Sequence, residues 1–326
     1  MTKNIRLWLR VAGLVAGVTV AAAGLAQTYP DKPIKWVVPY PPGGTTDVVA
    51  RSIAQAMGER LGAAIVIENK GGAAGVIGMQ AVAKAAPDGY TFLVSDASLA
   101  TAPSLNKQLS FDPLKDLQAV FLFVTVPHVV LVSPTSGLQT LDDLLARAKQ
   151  QPQALNFASG GIGSPLHLAG EALRTSTSSQ WVHVPYKGGG PAIVAVMSGD
   201  AQLVTPSLPS VMGHIQSGKL KALAVTSAVR LNSLPAIPSV AELGYPGAAS
   251  MGWIGLHAPA GLPASISEKV EASARAVMLE PSLTKRLLEQ GADLAADPSA
   301  AAYAAFVASE AKRWETIVKA AGIQPE

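Results

Sequence analysis

Residues 37–51 read VVPYPPGGTTDVVAR, an apolar run joined to an amphipathic one through a turn of proline and glycine. Val37 and Val38 end a strand-like pattern, whereas Val48, Val49, Ile53 and Met57 recur at helical spacing, so the hydrophobic period changes between them. Pro41 and Pro42 have no N–H to donate. The amides of Gly44, Thr45, Thr46 and Asp47 stand at a helix start, where no preceding turn supplies an acceptor. Glycine lets the backbone come close to a bound group, and the positive end of the helix dipole favours a carboxylate or phosphate there. The same residues also describe an ordinary strand-to-helix turn capped by Thr45 or Thr46, and their spacing alone does not choose between the two.

Outward from this stretch, residues 34–40, 45–60, 64–68, 74–86 and 91–95 alternate strand and helix, which is α/β organisation. Asn69-Lys70-Gly71-Gly72 forms a second glycine-rich junction. No spacing matches G-x-G-x-x-G or G-x-x-x-x-G-K-[ST], which removes dinucleotide and P-loop readings. Residues 119–132 read as a strand interrupted at Pro127, and a proline there marks a bend, so a first passage between two domains is expected at 125–128. A second α/β set follows: helices 141–150, 165–174 and 191–198, with strands 155–159, 181–184, 201–205 and 221–226. The return passage is expected after Ser227, with a strand at 251–257 rejoining the first set and helices at 263–279, 282–290 and 298–321 closing the chain. The expected division is a signal segment at 1–26, a first domain at 27–126 plus 228–326, and a second at 127–227.

The signal reading rests on Lys3, Arg6 and Arg10 ahead of an apolar run at 11–25, with Gly24-Leu25-Ala26 offering small residues for cleavage before Gln27. Removing those three basic residues takes Lys+Arg from 25 to 22, equal to the 22 Asp+Glu, so the formal +3 belongs to the leader. A near-neutral body without a basic stripe argues against nucleic acid or an anionic membrane as partner. The chain has no cysteine, which excludes disulfides, thiolate metal sites and cysteine nucleophiles together.

Residues 157–171, FASGGIGSPLHLAGE, repeat the opening logic of strand, glycine turn and helix. Ser164 is a natural N-cap and Pro165 suits the first helical position, and facing helix N-termini across a cleft would make one anion-lined pocket. His167 lies three residues after Ser164, so a nucleophile–base pair is conceivable, but no third orienting group or nucleophile elbow accompanies it. His128, His167, His183, His214 and His257 are scattered without a short ligand pair, so no metal site is expected. His183, Trp181 and Trp253 read as core residues, and residues 186–190, YKGGG, form a third glycine turn in which Lys187 offers positive charge.

Seven ordered blocks then resemble one family: YPDKPIKWVVPYPPGGTTDVVAR, VIENKGGAAGVIG, AKAAPDGYTFLV, LNFASGGIGSPLHLAGE, VHVPYKGGGPAI, GKLKALAVTS and GWIGLHAPAGLP. The chain resembles the periplasmic solute-binding receptors of the tripartite tricarboxylate transporter system, the Bug-type family. The resemblance implies a type II periplasmic-binding-protein fold, two α/β domains joined by two crossing strands with a ligand cleft between them. It implies a non-enzymatic monomer without cofactor that binds a small organic mono- or dicarboxylate, aromatic acids included, and delivers it to a two-component membrane permease. Carried over by motif, Tyr40, Gly43, Gly44, Thr45 and Asp47 would contact ligand from the first turn. Ser159, Gly160, Gly163, Ser164 and His167 would do so from the second, and Tyr186, Lys187 and Gly188 from the third. One departure stands out: many relatives carry an Asp just before the Asn/Ser-Leu-Pro-Ser turn of the second domain, where this chain reads Thr205-Pro206-Ser207-Leu208-Pro209-Ser210. A cleft carboxylate is a natural partner for an ammonium group, so the ligand expected here is not an amino acid. A sensor partner of a signalling kinase and a Ser164/His167 hydrolase are the competing readings.

Overall fold

The first βαβ unit is built as the period change demands. Strand β1 (Ile34–Val38) is buried at four of its five positions, so both faces are covered, as a parallel strand inside an α/β layer requires. It leads through the proline–glycine turn into helix α1 (Thr45–Leu61), then β2 (Ile65–Asn69), α2 (Val76–Ala83), β3 (Thr91–Ser95), α3 (Ser98–Leu105) and β4 (Leu117–Pro127). Next come β5 (Val129–Val132), α4 (Leu141–Gln150), β6 (Asn156–Ser159), α5 (Pro165–Thr177), β7 (Val182–Pro185), α6 (Gly189–Ser198), β8 (Leu203–Val204), α7 (Met212–Gln216) and β9 (Lys221–Val225). The chain closes with β10 (Met251–Pro259), α8 (Ala264–Met278), α9 (Pro281–Glu289), β11 (Asp293–Leu294) and α10 (Ala300–Ala320). This computed structural model describes residues 29–231 and 233–320; the expected signal segment and the start at Gln27 lie outside them. Met1–Asp31 and Lys32–Glu326 are separate units, and everything below concerns the second.

Among the described residues the strands form a six-stranded sheet, β11-β4-β10-β3-β1-β2, and a five-stranded sheet, β7-β6-β8-β5-β9. β1 pairs in parallel with β2 and β3, while β10 runs antiparallel to β3 and β4. In the second sheet β6 is parallel to β7 and β8, and β5 is antiparallel to β8 and β9. Each sheet packs its own core: Leu93, Trp253, Tyr303 and Trp314 in the first, Phe157, Leu173, Leu203 and Leu223 in the second.

The chain crosses between sheets at a single residue, His128, between the end of β4 and the start of β5. Thr226, just past β9, ties that crossing to the return: its N–H donates to His128 O at 2.9 Å, its hydroxyl donates to Ser250 O at 2.6 Å, and it accepts the His128 N–H at 3.0 Å.

Two elements differ from the sequence reading. The helix expected over 74–86 starts with a short 3-10 turn in which Ala73 and Ala74 take φ of 46° and 50°, and its α-helical part spans only Val76–Ala83. Helix α3 was not among the expected elements; it forms, with Pro103 inside it, where Asp96 accepts the Ser98 N–H at 3.0 Å and the Ser98 hydroxyl at 2.6 Å at its start.

Candidate functional site

Three helix N-termini converge where the two sheets face each other. Gly44, not Thr45 or Thr46, is the N-cap of α1, and it offers no side chain to cap with. The first amide of α1 to reach a carbonyl is that of Val48, on Gly44 O at 3.0 Å, and the amides of Gly44, Thr45 and Thr46 make no hydrogen bond among the described residues. All three residues line a small cavity of about 50 Å³. Opposite them stand Ser164, Pro165 and Leu166 at the start of α5, and Gly189, Gly190 and Pro191 at the start of α6. Ser164 does cap α5, its Oγ accepting the His167 N–H at 3.3 Å. Orphan amides and the starts of three helices bring partial positive charge to this floor, with no cationic side chain and one carboxyl, that of Asp96, on its described lining.

A second cavity of about 670 Å³ adjoins the first, and Tyr40, Pro41, Pro42, Gly160 and Gly188 border both. Its walls come from the β2–α2 loop with Asn69 and Gly71, from α3 with Ser98, Thr101 and Leu105, and from the turns at 160–163 and 186–188. Lys187 is the one charged side chain on its lining among the described residues. The two sides touch: Thr101 Oγ1 donates to Gly163 O at 3.4 Å, and a Cβ at position 163 would lie 2.3 Å from Leu105 Cδ1.

The first turn is braced by a carboxylate. Asp47 accepts the Gly43 N–H at 3.0 Å, Arg51 Nε at 3.0 Å and Asn69 Nδ2 at 2.9 Å, while Asn69 Nδ2 also donates to Tyr40 O at 3.0 Å. Burial pushes its carboxyl upward, but the bonds from Arg51, Gly43 and Asn69 outweigh that and hold it below the ordinary aspartate value. Asp96 lines the small cavity, yet both its oxygens are occupied, by Tyr40 OH at 3.2 Å, Thr46 Oγ1 at 3.0 Å and Ser98. Burial raises its carboxyl above the ordinary value despite those donors.

The second turn is braced by imidazoles. His167 Nδ1 accepts the Gly163 N–H at 3.1 Å, and Ser159 Oγ accepts the Gly161 N–H at 3.2 Å while lying 2.6 Å from His183 Nε2.

Of the residues singled out by sequence, Tyr40, Gly160, Gly163, Tyr186, Lys187 and Gly188 line the larger cavity. Gly44, Thr45 and Ser164 line the smaller one. Gly43, Asp47, Ser159 and His167 line neither; they hold the two turns from behind. Thr205 also lines neither, its hydroxyl donating to Leu166 O at 2.7 Å. Ser164 and His167 do not pair as nucleophile and base, since the hydroxyl receives the histidine's backbone N–H and the ring receives Gly163. Ser95 and His257 do meet, at 2.7 Å, but both are buried and line neither cavity. Thr46, Gly189, Gly190, Ser207 and Ser210 belong to stretches the sequence reading named, yet they and Asp96 were not among its expected ligand contacts, and all six border the small cavity. The YKGGG turn carried a usable signal for the glycines; nothing in the sequence aimed Ser207 or Asp96 inward.

Two facing α/β sheets, a chain that crosses between them at His128 and returns past Thr226, and a cavity floored by helix N-termini define a periplasmic-binding-protein fold. Residues 49–323 match the family described as tripartite tricarboxylate transporter family receptor, and the chain belongs to that family. It is 37% identical over 316 residues to protein BugT of Bordetella pertussis, covering 94% of this chain and 96% of that one. A solved R. palustris protein with adipate superposes with a TM-score of 0.88 at 33% identity, covering 91% of this chain and 100% of its own. MatC from Rhodopseudomonas palustris with bound malate gives a TM-score of 0.85 at 30% identity, covering 89% of this chain and 100% of its own. The protein is thus a solute-binding receptor of this family by sequence and by fold. Among the described residues no helix is long and apolar enough to cross a membrane.

Proposed function

We propose that this receptor works in the periplasm, exported by its 1–26 segment, and as a monomer closes two domains over a small organic carboxylate before handing it to a two-component permease. The domains are 27–126 plus 228–326, organised by the six-stranded sheet, and 127–227, organised by the five-stranded one. The observation that carries the reading is the set of unpaired amides at Gly44, Thr45 and Thr46 facing the starts of α5 and α6 across one small cavity. A carboxylate oxygen supplies the acceptor those amides lack. The carboxylates solved in the two R. palustris relatives support the same ligand class.

Charge-assisted bonds contribute about 1.5–3 kcal/mol each, and micromolar binding needs about 8 kcal/mol. A few such bonds in an open groove fall short once ordering costs are set against them, so closure that brings three helix ends onto one ligand is the economical solution. The approach of Thr101 and Leu105 to Gly163 supports such closure.

The larger cavity takes the body of the acid. Its volume of about 670 Å³ and its walls of Pro41, Pro42, Val76, Ala102 and Leu105 suit a bulky apolar frame, an aromatic ring included. Lys187 offers a partner for a second anionic group. Asp96, with both oxygens already bonded, offers no carboxylate for an ammonium group, so acids without an amine are favoured. A thermal-shift screen of adipate, malate, succinate, benzoate and phthalate tests the reading, because a ligand bound only by the folded state raises its melting temperature. Calorimetry showing aspartate or glutamate binding more tightly than succinate or glutarate would overturn the amine-free preference.

A further inference from the structure

His167 and His183 stand behind the second turn, one ring on the other, with centroids 4.1 Å apart and planes 27° from parallel. Each ring leads to one amide of the turn. His167 Nδ1 accepts the Gly163 N–H directly, so that nitrogen carries no proton. His183 reaches the Gly161 N–H through Ser159 Oγ. Gly161 and Gly163 take φ of 113° and 76°, one of several shapes open to glycine, and these two bonds select it. Gly160, between them and Ser159, borders both cavities, so the setting of this turn sets the second wall of the anion floor.

We propose that His167 and His183 are a neutral stacked pair of positioning residues that holds the 159–164 turn in its anion-facing shape, and that charging the pair in acid slackens the turn and releases the ligand. The releasing half rests on the carboxylate-receptor reading; the positioning half does not.

The chemistry is asymmetric. A proton on His167 Nδ1 points an N–H at the Gly163 N–H, which removes the acceptor outright. A proton on His183 Nε2 is tolerated locally, because Ser159 Oγ can accept it and turn its own hydrogen to Gly161 O, 3.3 Å away. What it adds is a cation stacked on its neighbour. The other charges facing the pair are Arg174, which opposes protonation of His167, and Glu171, which favours that of His183; they hold each other at 2.7 Å. Burial first, and then Arg174 for His167 and the neighbouring ring for His183, brings both histidines down to about 4.

The test is amide exchange read by NMR on the full ligand-free protein, as protection factors from pH 7 to 3.5 with the imidazole nitrogens followed in parallel. His167→Phe keeps a ring and loses the acceptor, whereas His167→Asn returns an oxygen near the Nδ1 position; His183→Phe and His183→Gln make the matching pair for Ser159. The expected result is at least tenfold lower protection of Gly163 in His167→Phe and of Gly161 in His183→Phe at pH 7, with the Asn and Gln variants within about threefold of wild type. In wild type both amides lose protection as the rings titrate, while Leu144 in α4 keeps its own. Unchanged protection in both Phe variants overturns the proposal; so does loss of Leu144 protection in step with Gly161 and Gly163, which would be global acid unfolding. That wild-type titration decides the matter even where a Phe variant does not fold. For the ligand, whichever of adipate, malate or benzoate raises the wild-type melting temperature serves as probe, and His167→Phe should weaken it at least tenfold at pH 7 while His167→Asn largely restores it. If none of the three binds, the carboxylate reading fails, and the exchange data still judge the pair; unchanged affinity in His167→Phe defeats the release mechanism alone.

Discussion

The two turns that face each other across the cavity perform one structural task with opposite electrostatics. At 43–47 a carboxylate, Asp47, gathers a backbone amide, a guanidinium and a side-chain amide; at 159–164 one imidazole, His167, accepts an amide directly, and Ser159, held against the His183 ring, accepts another. Both turns border the small cavity beside helix starts, so an anion there would meet dipoles from each side. The difference lies in what acid does to them. Asp47 is held below the ordinary carboxylate value and keeps its charge until the solution is more acidic than that, whereas His167 needs to stay neutral to accept the Gly163 N–H. The second turn therefore yields first.

Acid stability exposes this difference most strongly. A histidine whose folded value is about 4 against 6.5 unfolded binds fewer protons when folded, so its contribution is complete above pH 6.5 and is lost as pH falls towards 4. That amounts to about 3 kcal/mol for His167 and a similar amount for the fully buried His128 at the crossing, by the conversion of about 1.4 kcal/mol per pH unit. Urea midpoints taken from pH 7 to 4 should fall steadily through this window, and the His167→Asn/His183→Gln double variant should fall less. A flat profile over that range would break the contrast between the turns.

Next in size is Asp47→Ala, which strands Arg51 and leaves the Gly43 N–H and the Asn69 amide without their shared acceptor. A loss of about 3 kcal/mol at pH 7 is expected from removing one partner of a charge-assisted network. Denaturant titration that finds less than about 1 kcal/mol would show that Asp47 does not brace the first turn. Below that stands a pair of glycine variants. Gly43 and Gly163 both have positive φ, but a Cβ at 43 meets nothing within 4 Å whereas one at 163 meets Leu105 at 2.3 Å. Gly43→Ala should cost about 1 kcal/mol, the left-handed penalty alone, and Gly163→Ala about 2 kcal/mol or more. Adding Leu105→Ala should recover part of the second loss and none of the first, which a double-mutant cycle reads directly.

Most of the fold was legible because the apolar periods were clean and the turns were chemically explicit. The strand at Thr91–Ser95 and the helix at Leu141–Gln150 fall at the bounds the sequence proposes, the latter because Thr140 and Asp143 form a reciprocal capping box. Helix α3 was not legible, since its start depends on Asp96 and its interior contains Pro103. With it went one wall of the larger cavity, including Thr101 and Leu105. The glycine turns announced where an anion could sit, but not which of their residues face it. Asp47 and His167 belong to the right motifs and act behind them, a distinction set by side-chain direction after the turn has closed rather than by spacing.

Thr205 shows the limit of reading specificity from a single departure, and it supplies the smallest expected effect. Thr205 opens the segment 205–207 that stands where the pattern of the resembled family has an Asp, and that departure suggests a segment that selects the ligand. Its side chain is fully buried, however, and its hydroxyl donates to Leu166 O at the start of α5, while Ser207 and Ser210 a few residues on are the ones that border the small cavity. Thr205 thus acts on the ligand only through the backbone of a helix whose first turn is already capped by Ser164. Thr205→Val should cost about 1 kcal/mol, the net worth of one neutral hydrogen bond. It should leave the affinity for the best carboxylate of the thermal-shift screen within about twofold, and the preference for succinate over aspartate unmoved. A preference that shifts more than about threefold would return the segment to the role its sequence suggests, with Leu166 as the relay; an unchanged preference places selection on the α3 wall and at Lys187, on the larger cavity.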